Sequence, residues 1–301
     1  MTANIGQTVS RLRGALALLV VGMSLAGCSM LEPKPVALPP PPPKIALALG
    51  GGAARGFIHV GVIKALEAQG IIPDIVVGTS AGAVVGALYA SGLSGFDLQK
   101  TAMEMEESQV GDWSLPDRGI FKGEALQNFV NKAVGQRPLE KMPKTLAVVA
   151  TDLRSGDRVV FRNGNTGMAV RASAAVPGVF QPVPINGREY VDGGLVSPVP
   201  AMVARELGAT FVIAVDISAR PHNARVQSTL DVLLQTFSIM GQSISRHEAT
   251  SADVVIRPAV AELPTTDFQG RHRAVLEGEK AAAAIMAELK QKLELKRSGG
   301  T

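Results

Sequence analysis

The chain has 301 residues, of which 46% are hydrophobic, and its formal charge at pH 7 is +4. This much apolar sequence can form a core, which excludes a fully disordered protein. The single cysteine excludes a disulfide scaffold and a cysteine-built zinc or iron–sulfur site. Because the charge is small, a dedicated nucleic-acid-binding protein is not expected. The length suits one large domain or two small ones.

The first segment of the chain, residues 1–27, has the pattern of a bacterial lipoprotein signal peptide. Two arginines precede an apolar run over residues 14–27, which is shorter than the roughly 20 residues that a membrane-spanning helix needs. The run ends in Leu-Ala-Gly followed by Cys28, which resembles the lipobox of bacterial lipoproteins. The resemblance implies cleavage before Cys28 and lipidation of its thiol, and Ser29 favours sorting to the outer membrane, facing the periplasm. An ordinary signal peptide with an incidental cysteine is the alternative.

A proline-rich segment at residues 28–43 follows, with an unbroken proline run from Pro39 to Pro43. Proline fixes φ and has no N–H to donate, so we predict an extended, semi-rigid polyproline II tether. A proline-rich partner motif is the alternative interpretation. The folded domain is expected over residues 44–260, with a C-terminal helical segment at residues 261–301 packed on it.

From Lys44 onward, short apolar runs alternate with segments of helical periodicity. Strands are predicted at residues 45–49, 75–77, 146–150, 211–215 and 254–256, with one arm of a hairpin at 158–161. Helices are predicted at residues 55–69, 82–90, 97–106, 123–133, 202–207, 230–245 and 275–295. This alternation is typical of an α/β fold with a mainly parallel sheet that helices cover on both faces.

The sequence GTSAG at residues 78–82 lies where a predicted strand meets a predicted helix. Glycines two residues to either side of a serine permit a tight turn that exposes the hydroxyl at a helix N-terminus. There the helix dipole and the free N–H groups favour developing negative charge. The pattern predicts a nucleophile at Ser80, and a helix start packed closely against the sheet is the alternative.

A second glycine-rich turn, GGGAARG, spans residues 50–56. Successive glycines direct several N–H groups into one concavity that suits a phosphate or an oxyanion. The dinucleotide pattern G-x-G-x-x-G fails because residue 55 is arginine, and no Gly-Lys-Ser/Thr follows as in a Walker A loop. Two such turns, one of which bears a serine, indicate the donor loop and the nucleophile loop of an acyl transferase or hydrolase.

A nucleophilic serine needs a base. His59 falls within the first predicted helix and is interpreted as structural. The other three histidines lie in polar or helical settings of the C-terminal third: His222, His247 and His272. Asp192, in the sequence Val-Asp-Gly-Gly, is a candidate base, although Asp-Gly-Gly is commonly only a turn. A Ser–Asp–His triad that uses Asp216 and a C-terminal histidine is a further alternative.

Five ordered motifs over about residues 44–207 resemble the patatin-like phospholipase family. In chain order they are GGGAARG at residues 50–56, GTSAG at 78–82, ATDL at 150–153, RASAAVPGVF at 171–180 and DGG at 192–194. The resemblance implies a three-layer α/β/α fold and a Ser80–Asp192 dyad that forms an acyl-enzyme without a histidine, a cofactor or a metal. It implies an oxyanion hole built from Gly50, Gly51, Gly52 and Ala81. Support for the motifs would come from Arg55, Gly56, Gly78, Gly82, Gly193 and Gly194.

Other residues near these motifs have two interpretations each. Arg55 either orients the glycine loop or attracts a lipid phosphate. Ser173 is interpreted as a packing residue rather than a catalytic one. Three apolar side chains lie in the loop near Gly111 and Pro116, and they either contact acyl chains or pack in the core or a lid: Trp113, Ile120 and Phe121.

Together these features predict a lipid-anchored serine acyl hydrolase of the phospholipase A or lysophospholipase type. Its expected partners are a phospholipid or lysophospholipid substrate and the membrane that its N-terminal anchor would enter, with no nucleic acid. A general carboxylesterase for short soluble esters is one alternative. A non-catalytic lipid-binding or regulatory lipoprotein is the other.

Overall fold

The computed structural model describes residues 41–106, 112, 119–218, 226–260 and 269–299. The predicted signal peptide, Cys28 and most of the proline-rich tether lie outside these ranges, as do Trp113 and His222. Among the described helices, none is both long and apolar enough to span a membrane.

Within the described ranges, one sheet of eight strands forms the centre of the fold. The strands are β1 (Ile45–Leu49), β2 (Ile75–Thr79), β3 (Thr145–Asp152), β4 (Arg158–Phe161), β5 (Val183–Ile185), β6 (Arg188–Asp192), β7 (Phe211–Val215) and β8 (Val254–Ile256). Their order is β5-β6-β3-β2-β1-β7-β8, and β4 also pairs with β3. The strands from β3 to β8 along this order are parallel, whereas β4 and β6 run antiparallel to β3. The predicted α/β fold with a mostly parallel sheet is confirmed.

Helices cover both faces of the sheet. They are α1 (Phe57–Glu67), α2 (Ala81–Ala90), α3 (Gly95–Glu104), α4 (Glu124–Ala133), α5 (Thr166–Ser173), α6 (Ala201–Glu206), α7 (Thr229–Glu248) and α8 (Arg271–Arg297). Leu47 and Leu49 of β1 pack in a core with α1, α2 and α8. Ala46 and Ala48 pack in a second core with α6 on the opposite face. Because side chains alternate along a strand, the two cores define three layers.

The long C-terminal helix α8 packs closely on α1. A Cβ atom at Gly61 would lie 1.9 Å from the carbonyl oxygen of Val275, and one at Gly278 would lie 2.1 Å from the carbonyl oxygen of Ile58. Only glycine lets the two backbones approach so closely. The helix is therefore fixed along the same core layer that carries α2.

Four predicted strands have the same bounds in the structure: 45–49, 158–161, 211–215 and 254–256. The first helix begins two residues later than predicted because residues 53–56 form a 3-10 turn. The sequence patterns did not predict α5, β5 or β6. The strand β5 has three residues and includes Pro184, and β6 begins with exposed Arg188, so neither has a clear apolar alternation.

The strands β2 and β6 end against each other along one edge of β3. Thr79, the last residue of β2, pairs with Val149, and Asp192, the last residue of β6, pairs with Ala150. The pairing of β4 over residues 148–151 overlaps both stretches, so β4 occupies the other edge of β3. The residue after β2 and the residue that ends β6 are thereby brought together.

Candidate active site

Ser80 forms the turn between β2 and α2 with φ 53° and ψ −121°. A residue with a side chain is strained by about 1–3 kcal/mol in such a region, and strain of this kind is concentrated at functional sites. A Cβ atom at Gly78 would lie 2.5 Å from the Cα of Ala83, and one at Gly82 would lie 2.1 Å from the carbonyl oxygen of Leu49. The turn therefore requires glycine on both sides of the serine.

A buried hydroxyl holds the backbone of this turn. The N–H of Ser80 donates to Oγ of Ser173 at 2.8 Å, and the Ser173 hydroxyl donates to the carbonyl of Val149 at 2.5 Å. Ser173 ends α5 and has no exposed surface. The interpretation of Ser173 as a packing residue is therefore incomplete, because it links the serine turn to β3.

Asp192 faces the serine from the end of β6. The Ser80 side chain lies close enough to the carboxylate to lower its pKa, and the N–H of Gly194 donates to Oδ1 at 2.7 Å. Its own backbone is fixed on both sides, because its N–H donates to the carbonyl of Ala175 at 2.9 Å and its carbonyl accepts from the Thr151 hydroxyl at 2.8 Å. Neither the serine nor the carboxylate can move far from the other.

The environment of Asp192 makes it more basic than an ordinary carboxylate. Its side chain is buried, and burial raises its pKa from 3.8 to about 6, although the Ser80 side chain and the N–H of Gly194 oppose the rise. The group is still ionised at neutral pH. A carboxylate with a pKa near neutral pH that lies beside a hydroxyl is suited to accept its proton.

The glycine at position 193 has a steric role. A Cβ atom there would lie 2.2 Å from the carbonyl oxygen of Val149, and one at Gly194 would lie 3.0 Å from Oδ1 of Asp192. The Asp-Gly-Gly sequence is thus a turn, and it also places a carboxylate against the sheet edge.

The glycine-rich loop packs against the serine turn. A Cβ atom at Gly51 would lie 3.2 Å from the Cβ of Ser80, and one at Gly56 would lie 2.9 Å from the Cβ of Ala81. A Cβ atom at Gly52 would lie 2.7 Å from the Ile217 side chain. The three glycines let the starts of α1 and α2 come together.

Two of the four predicted oxyanion donors are directed elsewhere. The N–H of Gly50 donates to the carbonyl of Val215 at 3.0 Å, and the N–H of Gly51 donates to the carbonyl of Pro198 at 3.0 Å. These bonds hold the loop to the sheet and to the segment after Asp192, so the assignment of both groups as donors to substrate is corrected. Among the described residues, the N–H groups of Gly52 and Ala81 have no hydrogen-bond acceptor. Ala81 opens α2, where helix geometry leaves the N–H free.

His59 fixes the glycine loop from beneath. Its Nε2 lies 2.8 Å from the carbonyl oxygen of Gly50, and burial lowers the pKa of His59 to about 4. The ring is therefore neutral at pH 7, and Nε2 carries the hydrogen because a carbonyl only accepts. This placement agrees with a structural role for His59.

The alternative triad does not form among the described residues. The Asp216 carboxylate lies 3.7 Å from Nε of Arg257 and accepts the N–H of Ser218 at 3.1 Å. It hydrogen-bonds neither His247 nor His272. In the same ranges, no group of three or more His, Cys, Asp or Glu residues is arranged to hold a metal ion.

Arg55 lies in the 3-10 turn at the start of α1. Its N–H donates to the carbonyl of Gly52 at 3.1 Å, so its backbone shapes the glycine loop. Burial lowers the pKa of its guanidinium. The backbone of Arg55 is thus part of the glycine loop, and the role of its side chain stays a prediction.

An apolar cavity of about 460 Å³ opens beside Ser80. Helices α1 to α4, the segment 174–180 and the loop residue Phe121 contribute to its walls, which include Val84, Leu88, Leu98, Phe129 and Phe180. Ser80 and Thr101 are the polar side chains of the described lining. The rings of Phe121 and Phe180 lie 5.5 Å apart, so Phe121 both packs and lines the cavity. The volume is in the range of small-molecule sites.

Comparison with known proteins places this site in a family context. The family model described as patatin-like phospholipase matches residues 47–205, which include the glycine loop, Ser80 and Asp192. An uncharacterized NTE family protein of Mycobacterium tuberculosis is 38% identical over 178 residues, which cover 58% of this chain and 49% of that protein. Patatin-like phospholipase domain-containing protein 6 of Homo sapiens is 35% identical over 184 residues, which cover 58% of this chain and 13% of that protein.

The chain thus spans about half the length of the mycobacterial relative. Among solved structures, VipD from Legionella pneumophila superposes with a TM-score of 0.51 at 18% identity. The match covers 85% of this chain and 67% of VipD. At this identity the likeness is one of fold.

Proposed function

Because this chain belongs to the patatin-like phospholipase family, we propose that it is a serine hydrolase of lipid carboxylic esters. Its substrates would be phospholipids or lysophospholipids, and its catalytic pair would be Ser80 and Asp192. The observation that carries the proposal is the placement of Ser80, on its strained turn, beside the buried Asp192 carboxylate, whose pKa the Ser80 side chain lowers. This pair lies beside a cavity with an almost wholly apolar lining.

In the proposed first step, Oγ of Ser80 attacks the ester carbonyl carbon while Asp192 accepts the hydroxyl proton. The N–H groups of Gly52 and Ala81 would donate to the oxyanion that forms. Collapse of the tetrahedral intermediate breaks the bond to the alcohol, which leaves with the proton held by Asp192. The products are an acyl-enzyme and a lysophospholipid or its deacylated alcohol.

In the second step, water attacks the acyl-enzyme and Asp192 accepts its proton. The carboxyl carbon separates from Oγ of Ser80, which regains a proton from Asp192, and a fatty acid is released. One carboxylate thus serves as base and then as acid in each half of the reaction. Its raised pKa, near 6, supports both roles at neutral pH.

The cavity supports a lipid rather than a short soluble ester as substrate. Its walls come from Val84, Leu88, Phe129 and similar side chains. Burial of an acyl chain against them removes apolar surface from water, which makes the free energy of binding more favourable. A short ester would leave most of this surface unfilled. Long acyl chains are therefore the proposed preference.

We also propose that the protein is held at the bacterial outer membrane, facing the periplasm, through a lipid on Cys28. The support is the signal-peptide pattern of residues 1–27 and the proline-rich tether that follows. Incorporation of labelled palmitate into the wild-type chain, and its loss in Cys28→Ser, tests the lipid anchor, and separation of inner from outer membranes shows which of them carries the protein. Equal labelling of both chains would contradict the anchor.

The catalytic proposal is tested with purified protein on micelles of phospholipid and lysophospholipid and on short-chain p-nitrophenyl esters. We expect turnover of the long-chain lipids, labelling of Ser80 by a fluorophosphonate, and loss of both in Ser80→Ala. Ser91→Ala is the matched control, because the Ser91 hydroxyl only donates to a carbonyl in the last turn of α2. Unchanged turnover in Ser80→Ala would refute the mechanism. A preference for short esters would instead favour a general carboxylesterase.

A further inference from the structure

Glu248 ends α7 and lies outside the residues that the family model matches. Its side chain is 2% exposed. One carboxylate oxygen accepts the hydroxyl of Ser197, and the other accepts the N–H of Val199 at 3.0 Å. Both oxygens of a buried carboxylate are therefore used by one three-residue segment, 197–199.

The same segment holds two parts of the candidate active site through its carbonyl groups. The carbonyl of Ser197 accepts the hydroxyl of Thr79, the residue before Ser80, at 2.8 Å. The carbonyl of Pro198 accepts the N–H of Gly51 at 3.0 Å. A shift of this segment would move both the serine turn and the glycine loop.

The segment is also tied to the turn that carries Asp192. The N–H of Ser197 donates to the carbonyl of Gly193 at 2.8 Å. Three chain segments that are far apart in sequence therefore meet on residues 197–199: the end of β2, the glycine loop and the Asp192 turn. Glu248 is the side chain that fixes their meeting point.

We propose that Glu248 is a positioning residue for the proposed hydrolase, which holds Ser80, Asp192 and the glycine loop in register through the segment 197–199. The inference rests on the proposed function, because positioning is judged by the reactivity of Ser80. A residue that only filled space here would not need a charge, since apolar side chains of similar volume pack as well or better.

The ionised form of Glu248 fits this geometry. Two donors point at its oxygens, so protonation on the oxygen that faces Ser197 would require that hydroxyl to reverse and accept, and both hydrogen bonds would lose the assistance of the charge. Burial raises the pKa of Glu248 to about 7, against the lowering effect of these two hydrogen bonds. The charged groups that face it are Arg158, which lowers the pKa, and Glu206, which raises it.

Arg158 and Glu206 pair with each other at 2.6 Å, so their effects on the pKa of Glu248 oppose each other. Glu248 should thus lose its charge as the pH falls through about 7, which is above the value of about 6 for Asp192. Two ionisations are expected on the acid side of the activity profile. The ionisation near pH 7 is that of Glu248, which positions the site, and the one near pH 6 is that of Asp192, the proposed base.

The test compares Glu248→Gln and Glu248→Ala with wild type. Glutamine keeps the shape of the side chain and one acceptor but never carries the charge, so it is expected to fold even if alanine does not. Asp253→Asn is the matched control, because Asp253 also accepts a backbone N–H, that of Val212, and pairs with an arginine. It contacts neither the segment 197–199 nor the site.

Two readouts are taken between pH 5 and pH 9: kcat and KM on a lysophospholipid micelle, and the rate at which a fluorophosphonate labels Ser80. In wild type, both rates should fall in two steps, near pH 7 and near pH 6. In Glu248→Gln, the upper step should be absent, kcat at pH 8 should be about tenfold lower and KM unchanged, because the loss of one charge-assisted hydrogen bond affects only the reactive arrangement. Asp253→Asn should keep the wild-type profile.

A variant profile with both steps and a wild-type kcat, accompanied only by a lower melting temperature, would overturn the inference and leave the hydrolase intact. Labelling of Ser80 without lipid hydrolysis in wild type would instead refute the proposed substrate class. In that case, the labelling rates still decide whether Glu248 positions the serine.

Discussion

Replacement of Asp192 by asparagine should separate what the carboxylate does for catalysis from what it does to stability. Burial raises its pKa from 3.8 to about 6 in the folded chain. Each unit of such a shift corresponds to about 1.4 kcal/mol, so ionised Asp192 destabilises the fold at pH 8 by about 3 kcal/mol relative to its protonated form. Asparagine has the same shape and can still accept the N–H of Gly194, but it does not ionise.

The sign of the effect follows from proton binding. Between pH 3.8 and about 6, the folded chain keeps a proton on Asp192 that the unfolded chain has released. The stabilising contribution is therefore present at acid pH and is lost as the pH rises through about 6. We expect Asp192→Asn to exceed wild type in unfolding free energy by about 1 kcal/mol at pH 4.5 and by about 3 kcal/mol at pH 8.

Urea denaturation at the two pH values measures this difference, and ester turnover is followed in the same samples. The stabilised variant should be inactive, because its amide cannot accept the Ser80 proton. Asp152→Asn is a control of opposite sign, since the N–H groups of Ser155 and Arg154 lower the pKa of Asp152, so this variant should be less stable than wild type at pH 8. Equal midpoints for Asp192→Asn and wild type at both pH values would refute the view of Asp192 as a desolvated base.

Two further substitutions test the turn that carries the nucleophile. Gly82→Ala should abolish turnover and lower the melting temperature, because its Cβ would lie 2.1 Å from a carbonyl oxygen of β1. Gly241→Ala, in α7, has open space and should gain about 0.5–1 kcal/mol with full activity; equal effects of the two would contradict the steric argument. Ser173→Ala should destabilise the fold by about 1–3 kcal/mol, since it removes the acceptor of the buried Ser80 N–H and a donor to the carbonyl of Val149. It should also reduce kcat with KM unchanged, and a wild-type kcat would show that the turn holds without it.

The parts of the fold that could be predicted from sequence are those in which local pattern and burial coincide. The strands β1 and β7 are five-residue apolar runs buried on both faces, and their predicted bounds match the structure. By contrast, β6 has the sequence REYVD and is buried only in its second half. This short sequence therefore lacks the clear alternation of apolar and polar residues from which a strand is predicted.

Within the candidate site, sequence motifs identified the residue types but not the direction of their N–H groups. Gly50 and Gly51 stand in a loop that is typical of oxyanion donors, yet their N–H groups bond the carbonyls of Val215 and Pro198. These acceptors lie more than a hundred residues away in the chain, so only the tertiary structure could place them. Glu248 gave no motif at all, because its partners are 49 and 51 residues distant.

The site depends on an interruption in the edge of β3. Beyond Thr79, which pairs with Val149, β2 no longer runs alongside β3, and the carbonyl of Val149 accepts the Ser173 hydroxyl there. The end of β2 leaves room for β6, which runs antiparallel to β3 and ends beside Ala150. Asp192 thereby comes to face the serine turn.

The register of β6 against β3 decides whether Asp192 faces Ser80. Side chains alternate along a strand, so Tyr190 and Asp192 lie on the same face of β6. Tyr190 is buried in a small core with Val183, and its ring meets that of Phe161 edge to face at 5.1 Å. A slip of one residue would expose this ring and turn the carboxylate away from Ser80. The contact of Tyr190 with Phe161, which lies on the strand at the other edge of β3, therefore helps to set the position of the base.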